Sequence, residues 1–279
     1  MKRLVFSAIA AVLLTGCFQS ETGPRSFDIN TATATPASAD PQSAQQLVAN
    51  TSDSYVTMVV YEASLKDLQR RDTMPDAVTS GSGFVIDSAG HVLTAGHVGV
   101  ARGWYVSLTG PNGRIYRGKV KEIREDHDMA LIQITDPGGL KPVVPVDDPC
   151  LRTGDPILSL GKPRERTNTA RFGSVASMSF GRPVRYKGFG YPDAMVLRLE
   201  TRKGESGGPV FDARGRLAGM VVSTLSDGAG RPLNLAHAVT APMIADFVCS
   251  ATTCSSAWRS LAGRAAAKCT GAIARNTNG

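Results

Sequence analysis

The chain has 279 residues, a hydrophobic content of 42% and a formal net charge of +7. This composition supports a packed core and excludes a wholly disordered chain, and the length allows one large domain or two small ones. The positive charges form no basic cluster, so no nucleic-acid partner is expected.

The first part of the chain is a predicted processing signal. Lys2 and Arg3 precede a short apolar run over residues 4–14, which is too short to span a bilayer as a mature helix. The run ends in Leu-Thr-Gly-Cys, and small residues before Cys17 resemble a bacterial lipobox. That resemblance implies a lipoprotein signal peptide over residues 1–16, with Cys17 lipidated. Ordinary signal cleavage with a stray cysteine is the alternative.

A lipidated Cys17 implies an exported protein anchored to a membrane of the cell envelope, on its periplasmic side. If the envelope is Gram-negative, the resemblance points to the outer membrane, because Phe18 follows the cysteine where an Asp is associated with inner-membrane retention. Residues 17–50 are predicted to form a flexible tether. Within them, residues 19–46 are rich in Thr, Ala, Ser, Pro and Gln, and such a segment buries too little apolar surface to offset its chain entropy.

Two series of strand-like runs follow residue 54. Short segments rich in Val, Ile and Leu recur, broken by Gly, Pro, Asp and Asn, and a Pro-rich connector over residues 140–156 separates the series. Many short strands with no interleaved helices predict an all-β fold, and two series favour two barrels. The predicted N-terminal barrel covers residues 51–145, and the C-terminal barrel covers residues 146–248.

The C-terminal tail, residues 249–279, contains cysteines and is predicted to be partly helical, and Pro242 is predicted to open a short helix just before it. Four cysteines besides Cys17 suggest disulfides in an oxidising compartment, and three pairings are open. Cys249 and Cys254 are close enough to close a small loop. These four are Cys150, Cys249, Cys254 and Cys269. No Cys/His spacing matches a zinc site, and no metal or organic cofactor is expected.

Ser206 in KGESGGPVF is a candidate nucleophile, because glycines on both sides allow a sharp turn and a close approach by another molecule. A serine needs a base, and His97 in VLTAGHV is the candidate. Asp128 is the candidate to orient that imidazole. Asp126 shares its strand parity and is the fallback, whereas parity predicts a solvent-facing His127.

His97 and Asp128 belong to the first strand series and Ser206 to the second, so their site is predicted in a cleft between the barrels. Their order, in TAGHV, HDMAL and GESGGP, resembles the chymotrypsin-fold (trypsin-like) serine peptidases. The closer likeness is to the protease domain of the bacterial high-temperature-requirement envelope proteases, over roughly residues 54–248. The resemblance implies two six-stranded antiparallel β-barrels, to which the pattern after Pro242 adds a short C-terminal helix.

The resemblance also implies the role of each residue. Ser206 attacks the scissile carbonyl, His97 takes its proton, Asp128 holds the imidazole, and the backbone N–H groups of Gly204 and Ser206 form an oxyanion hole. The implied function is a serine endopeptidase that hydrolyses envelope or secreted proteins through an acyl-enzyme, with polypeptides as its partners. A catalytically weak polypeptide-binding module and an esterase are the alternatives.

Substrate choice is predicted around Glu200, which lies six residues before the nucleophile, at the base of the primary pocket in the resembled fold. A carboxylate there favours a basic P1 side chain. The alternative is that Glu200 faces solvent or pairs with a neighbouring cation: Arg198, Arg202 or Lys203. The predicted pocket wall contains Ser223, Thr224, Asn234 and Ala236, with His237 beside it. Glu205 is interpreted as a surface or loop-bracing residue.

Overall fold

The computed structural model describes residues 27–31, 41–70, 73–148, 151–164, 167–186 and 188–264. The predicted signal peptide, Cys17, Cys150, Cys269 and the tail after residue 264 lie outside the described residues. Within the described ranges, no helix combines the length and the apolar character needed to cross a membrane.

Six antiparallel strands close the first barrel in the order β2-β3-β4-β7-β6-β5. They are β2 (Tyr55–Tyr61), β3 (Ala77–Val85), β4 (His91–Ala95), β5 (Tyr105–Thr109), β6 (Ile115–Arg124) and β7 (Met129–Ile134). Along the first part of β6, exposed and buried residues alternate, as expected where one face of a strand points into a barrel. Every residue of β4 is buried.

The second barrel also has six antiparallel strands, and it closes because β8 pairs with both β9 and β13. Its strands are β8 (Pro156–Gly161), β9 (Thr169–Ser177), β12 (Met195–Arg198), β13 (Pro209–Asp212), β14 (Leu217–Ser226) and β15 (Pro232–Thr240). β14 contacts β4 of the first barrel, which accounts for the burial of β4 on its outer side. The predicted all-β fold with two six-stranded barrels is confirmed.

Two segments of the predicted tether are folded, so that prediction is wrong for them. Strand β1 (Asp28–Asn30) pairs in parallel with β9, and helix α1 (Pro41–Thr51) follows it along the chain. Ala44 and Val48 of α1 are buried, one turn apart on the same face. A polar sequence with only this short apolar stripe is enough for a helix that docks on a barrel.

A small hairpin, β10 (Val184–Tyr186) with β11 (Phe189–Tyr191), projects from the second barrel between β9 and β12. Two single-turn helices, α2 (Leu65–Leu68) and α3 (Gly96–Gly99), lie in the first barrel. The hairpin packs against the short 3₁₀ turn of residues 125–127 that precedes β7. It therefore bridges the two barrels beside the cleft.

The end of the described chain is helical, as predicted. Helix α4 (Ala241–Ala251) has Pro242 in its first turn, where the missing N–H costs nothing. Helix α5 (Ser256–Leu261) is capped by Ser255, whose side chain accepts the Trp258 N–H. A disulfide joins Cys249 and Cys254. The buried Trp258 ring donates from Nε1 to the Ile86 carbonyl at 3.3 Å, which docks α5 on the first barrel.

Candidate active site

His97 lies where β4 ends and the single turn α3 begins. Its backbone N–H donates to Asp128 Oδ1 at 2.9 Å, and the preceding Gly96 donates its N–H to the Asp128 carbonyl, also at 2.9 Å. A Cβ on Gly96 would lie 2.9 Å from the Phe189 ring and 3.0 Å from the Met129 nitrogen. Glycine before His97 therefore allows the close approach of the two chain segments.

Asp128 is buried, and its carboxylate faces His97. Nδ1 of His97 lies 2.9 Å from Oδ2 and 3.1 Å from Oδ1. Asp128 has a left-handed backbone, with a φ of 48°, at the end of the 3₁₀ turn. Such a conformation is uncommon outside glycine, although Asp and Asn adopt it more readily than most residues. It directs the carboxylate inward just before β7 begins.

Asp126 lies away from His97. The structure therefore favours Asp128 over Asp126 as the residue that orients the imidazole. The Asp126 side chain is 68% exposed and contacts Arg124 and His127. The close contact with His127, whose Nδ1 lies 3.0 Å from Asp126 Oδ1, is the largest cause that holds the pKa of the Asp126 carboxyl below its usual value. The parity argument was wrong here, because residues 125–127 form a 3₁₀ turn and not a strand. The His127 side chain is only 20% exposed, so its predicted solvent-facing position is also wrong.

Ser206 lies on a tight turn between two glycines with left-handed backbones, Gly204 (φ 100°) and Gly207 (φ 85°). A Cβ on Gly207 would lie 2.2 Å from the Ser82 carbonyl oxygen, so no larger residue fits. Ser206 Oγ donates to the Val222 carbonyl at 3.4 Å. Among the described residues it makes no hydrogen bond with His97, and such bonds are often long in unliganded enzymes.

The N–H groups of Gly204 and Ser206 have no protein acceptor within the described part of the chain. The carbonyls of the same two residues are both held by Ser82 of β3. Its Oγ donates to the Gly204 carbonyl at 3.0 Å, and its backbone N–H donates to the Ser206 carbonyl at 2.9 Å. Two free N–H groups beside a serine hydroxyl are the donors that an oxyanion hole requires.

Glu205 is buried between these two residues, so the surface interpretation is wrong and the bracing interpretation fits. Its carboxylate accepts a hydrogen bond from Arg171 Nε at 2.6 Å and another from the Arg202 backbone N–H at 2.5 Å. Sequence reasoning gave no role to Arg171 or to Ser82. Both lie in segments whose strand character was predicted, but nothing local marks their contact with the serine turn.

Glu200 pairs with a neighbour, which was the alternative to a specificity role. Arg202 donates to Glu200 Oε1 from Nη2 at 2.6 Å and from Nε at 3.1 Å. The Glu200 side chain is 27% exposed. The carboxylate that was predicted to select a basic P1 side chain is therefore already matched by a guanidinium.

The other predicted pocket residues do not converge on one surface. The hydroxyl of Thr224 lies 2.7 Å from that of Thr201. Ala236 points into the core of the second barrel. Asn234 is exposed in a left-handed conformation and accepts the Leu199 N–H through its carbonyl.

Ser223 joins a buried cluster with Tyr191 and His237. The Tyr191 hydroxyl lies 2.8 Å from Ser223 Oγ and 2.9 Å from His237 Nδ1. Burial raises the pKa of Tyr191 to about 12, and the nearby Asp128 charge adds to this. Burial lowers the pKa of His237, whose ring lies 4.3 Å from the Phe180 ring. The Tyr191 hydroxyl is therefore neutral at physiological pH.

The β10-β11 hairpin brings two aromatic rings to the catalytic histidine candidate. The Tyr186 ring centroid lies 5.8 Å from that of His97, and the Phe189 centroid lies 6.5 Å away. Both contacts are edge-on, and they form one side of the cleft. Sequence reasoning missed this wall, and the only local signal was the aromatic pattern YKGFGY at residues 186–191. Among the described residues, no group of three or more His, Cys, Asp or Glu side chains could hold a metal ion.

The family model of the trypsin-like peptidase domain matches residues 81–220 of this chain. The chain belongs to this family, and the matched segment contains His97, Asp128 and Ser206. The putative serine protease HhoA of Synechocystis is 34% identical over 155 residues, which are 54% of this chain and 38% of HhoA. The periplasmic pH-dependent serine endoprotease DegQ of Escherichia coli is 31% identical over 193 residues, 63% of this chain and 40% of DegQ.

The chain thus spans less than half the length of these relatives. Among solved structures, the HtrA-type protease AlgW with a tripeptide has a TM-score of 0.59 at 19% identity, covering 72% of this chain and 60% of AlgW. An inactive mutant of Rv3671c from M. tuberculosis has a TM-score of 0.59 at 23% identity, covering 78% of this chain and 94% of that structure. At these identities the two structures support the fold alone.

Proposed function

We propose that the chain is a serine endopeptidase that cleaves polypeptides through an acyl-enzyme. The observation that carries this proposal is the buried Asp128 carboxylate, which binds both the backbone N–H and Nδ1 of His97. A carboxylate in this position fixes the tautomer in which Nε2 is free to accept a proton. A buried Asp-His pair of this kind, in a trypsin-like family member with a serine on a glycine turn, fits peptide-bond hydrolysis.

In the proposed mechanism, His97 Nε2 takes the Ser206 proton as Oγ attacks the carbonyl carbon of the scissile bond. The electron pair of that carbonyl moves to its oxygen, which the N–H groups of Gly204 and Ser206 stabilise. His97 then gives its proton to the leaving amine as the C–N bond breaks. His97 then takes a proton from the water that attacks the acyl carbon, and it returns that proton to Ser206 Oγ as the bond between Oγ and the acyl carbon breaks. Asp128 stabilises the imidazolium at each transfer.

The proposed substrates are envelope or secreted polypeptides, met by an enzyme anchored to a membrane through a lipid on Cys17. The LTGC sequence before and at Cys17 supports the anchor. The names of the relatives DegP and DegQ, which are periplasmic serine endoproteases, support an envelope location. The proposed position is the periplasmic side of a membrane, with the outer membrane as the finer suggestion.

The test is to label the purified full chain with a fluorophosphonate probe and to measure cleavage of an unfolded protein such as reduced casein. We expect the wild type to be labelled at Ser206 and to cleave casein. Ser206→Ala should lose both signals, with a rate lower by about 10⁴-fold or more. The Asp126→Asn variant is a matched control, because Asp126 is exposed and lies away from His97.

Each alternative function gives a different result in the same experiment. A polypeptide-binding module would retain casein without labelling or cleavage. An esterase would be labelled and would hydrolyse a nitrophenyl ester, but peptide bonds would remain intact. A Ser206→Ala protein that cuts casein as fast as the wild type would contradict the proposed nucleophile.

A further inference from the structure

Glu205 lies between the two residues whose N–H groups we assign to the oxyanion hole, and its side chain points the opposite way, into the second barrel. The carboxylate of Glu205 holds the serine turn from the side of the second barrel. Oε2 accepts the Arg202 backbone N–H at 2.5 Å, and the Glu205 N–H donates to the Arg202 carbonyl at 3.2 Å. Residues 202–205 thus form a turn that both the backbone and the side chain of Glu205 hold closed.

Arg171 of β9 supplies the counter-charge for this carboxylate. Its Nε lies 2.6 Å from Glu205 Oε1, and the two side chains are only 6% and 3% exposed. β1 covers this region, because Asn30 lies opposite Arg171 in the register of the β1-β9 pair. With water largely excluded, the attraction between the two charges is stronger than at a surface.

The Glu205 side chain packs closely against Gly161 of β8. A Cβ on Gly161 of β8 would lie 2.8 Å from Glu205 Cγ and 2.9 Å from its Cβ. A Cβ on Gly204 would lie 2.5 Å from the Lys162 carbonyl oxygen. The turn is therefore wedged against the loop that follows β8. Because residues 204 and 205 are adjacent in this turn, we expect a displaced Glu205 carboxylate to shift the Gly204 N–H.

We propose that Arg171 is a positioning residue, which acts through Glu205 to hold the Gly204 N–H in the oxyanion hole. The Arg171 guanidinium and the Glu205 carboxylate are both buried inside the folded chain, so the fold itself supplies the charge that holds the turn. This inference rests on the proposed peptidase function.

The charge balance explains why the pair acts as a unit. Burial raises the pKa of the Glu205 carboxyl, and the Arg171 guanidinium opposes that shift. Without Arg171, the carboxylate would be a buried charge with no neighbouring side-chain charge of comparable burial, since Arg202 is exposed. It would protonate or move toward water, and either response weakens its hydrogen bond to the Arg202 N–H.

The first measurement is steady-state kinetics of the full chain on a fluorogenic peptide. We expect Arg171→Met to lower kcat by about 10²-fold or more while KM stays near its wild-type value, because the lost donor acts on the transition state. Arg171→Lys should recover at least about tenfold of that loss, because it keeps a buried positive charge. Arg198→Met is the matched control, since Arg198 is exposed on the neighbouring strand β12.

The second measurement reports on the turn without any catalysis. Only two Lys-Gly pairs occur in the sequence, Lys203-Gly204 and Lys187-Gly188, so carbonyl-¹³C lysine with ¹⁵N glycine selects two amide resonances. We expect the Gly204 resonance to move in Arg171→Met and to stay in place in Arg198→Met. Thermal unfolding and circular dichroism measure the unfolded fraction of each variant. Any loss of kcat that this fraction explains can then be subtracted.

The outcomes separate this inference from the proposed function. An Arg171→Met protein with wild-type kcat, or with an unmoved Gly204 resonance, overturns the positioning role. A fall in kcat that only matches the unfolded fraction also overturns it. An inactive wild type whose Gly204 resonance still moves in Arg171→Met contradicts the peptidase function and supports the positioning of the turn.

Discussion

The hydroxyl of Ser82 donates to the carbonyl of Gly204 at 3.0 Å, and this bond joins the first barrel to the turn that carries Ser206. The same oxygen accepts the Lys162 N–H at 3.2 Å, and the Ser82 backbone N–H binds the Ser206 carbonyl. One buried residue of the first barrel thus fixes the orientation of two peptide planes in the second. The geometry of the proposed site therefore depends on how the barrels are held together as well as on His97, Asp128 and Ser206.

Removal of the Ser82 hydroxyl should therefore weaken catalysis. Ser82→Ala leaves the Gly204 carbonyl without its side-chain donor, a loss of about 1–3 kcal/mol. We expect kcat on a peptide substrate to fall by about tenfold or more. Ser80→Ala is the control, because Ser80 lies on the same strand and its hydroxyl makes no hydrogen bond within the described residues. Equal kcat values for the two variants would contradict this role.

The two acidic candidates near His97 should differ sharply in a mutational test. Asp128→Asn keeps the size of the side chain but no longer fixes the imidazole tautomer, so kcat should fall by about 10⁴-fold. Asp126→Asn should leave kcat near the wild-type value, because that carboxylate contacts Arg124 and His127. Single-turnover kinetics on an ester substrate would measure both. Comparable losses in the two variants would show that the structural choice between them is wrong.

Glu200 should have little influence on the choice of substrate. Its Oε1 already lies 2.6 Å from Arg202 Nη2, so little unmatched charge is left for a substrate cation. We expect Glu200→Gln to leave unchanged the ratio of kcat/KM for peptides that differ only by Arg or Leu at P1. A fall in that ratio of about tenfold, equivalent to about 1.4 kcal/mol, would restore Glu200 as a specificity residue.

His237 should make the protein less stable in acid. Burial lowers the pKa of its imidazole, so the unfolded chain binds a proton more readily than the folded chain. The free energy of unfolding should therefore fall as the pH drops below about 6.5, the ordinary histidine pKa. Chemical unfolding between about pH 4.5 and about pH 7.5, on both sides of that pKa, would measure this fall in stability. His237→Phe should show a smaller pH dependence than the wild type.

A control is needed because carboxylates also titrate in acid. The wild type supplies this control, because it carries the same carboxylates as His237→Phe and differs from it only at residue 237. Identical pH dependence in His237→Phe and the wild type would contradict the assignment. The groups that face His237 are Tyr191 and Ser223, with Asp193 and Arg182 acting at longer range.

The Cys249–Cys254 disulfide should contribute to stability despite its small loop. Closing a loop of this size lowers the entropy of the unfolded chain by an amount worth about 2 kcal/mol. The double variant Cys249→Ser with Cys254→Ser should therefore unfold about 4–8 °C below the wild type in calorimetry. A reductant should lower the wild-type Tm by a similar amount. A wild type that reductant leaves unchanged would show that this bond adds nothing.

Features that depend on short stretches of sequence could be predicted from the sequence. The barrels followed from short apolar strands, and Ser206, His97 and Asp128 were singled out because each lies in a short motif that constrains a turn. Strand parity gave the wrong side-chain direction at Asp126, because one 3₁₀ turn and one left-handed residue interrupt the alternation of a strand. The alternation of residues in the sequence gives no sign of this 3₁₀ turn.

Contacts between distant strands could not be predicted in this way. Ser82 and Gly204 are 122 positions apart, and Arg171 and Glu205 are 34 apart. Both contacts depend on strand register and on how the barrels dock. The polar composition of residues 17–50 wrongly predicted a flexible tether throughout. Burial of Ala44 and Val48 against a barrel stabilises helix α1 within this segment.

With the proposed lipid on Cys17, the pairing of strand β1 with β9 would limit the distance between the barrels and the membrane. Cys17 and Asp28 are eleven residues apart, and a fully extended chain of that length spans at most about 40 Å. A free tether over the whole of residues 17–50 would have allowed about 110 Å. With the shorter tether, the barrels would stay within a shallow layer next to the bilayer. Proteins that enter this layer would be the first to be cleaved.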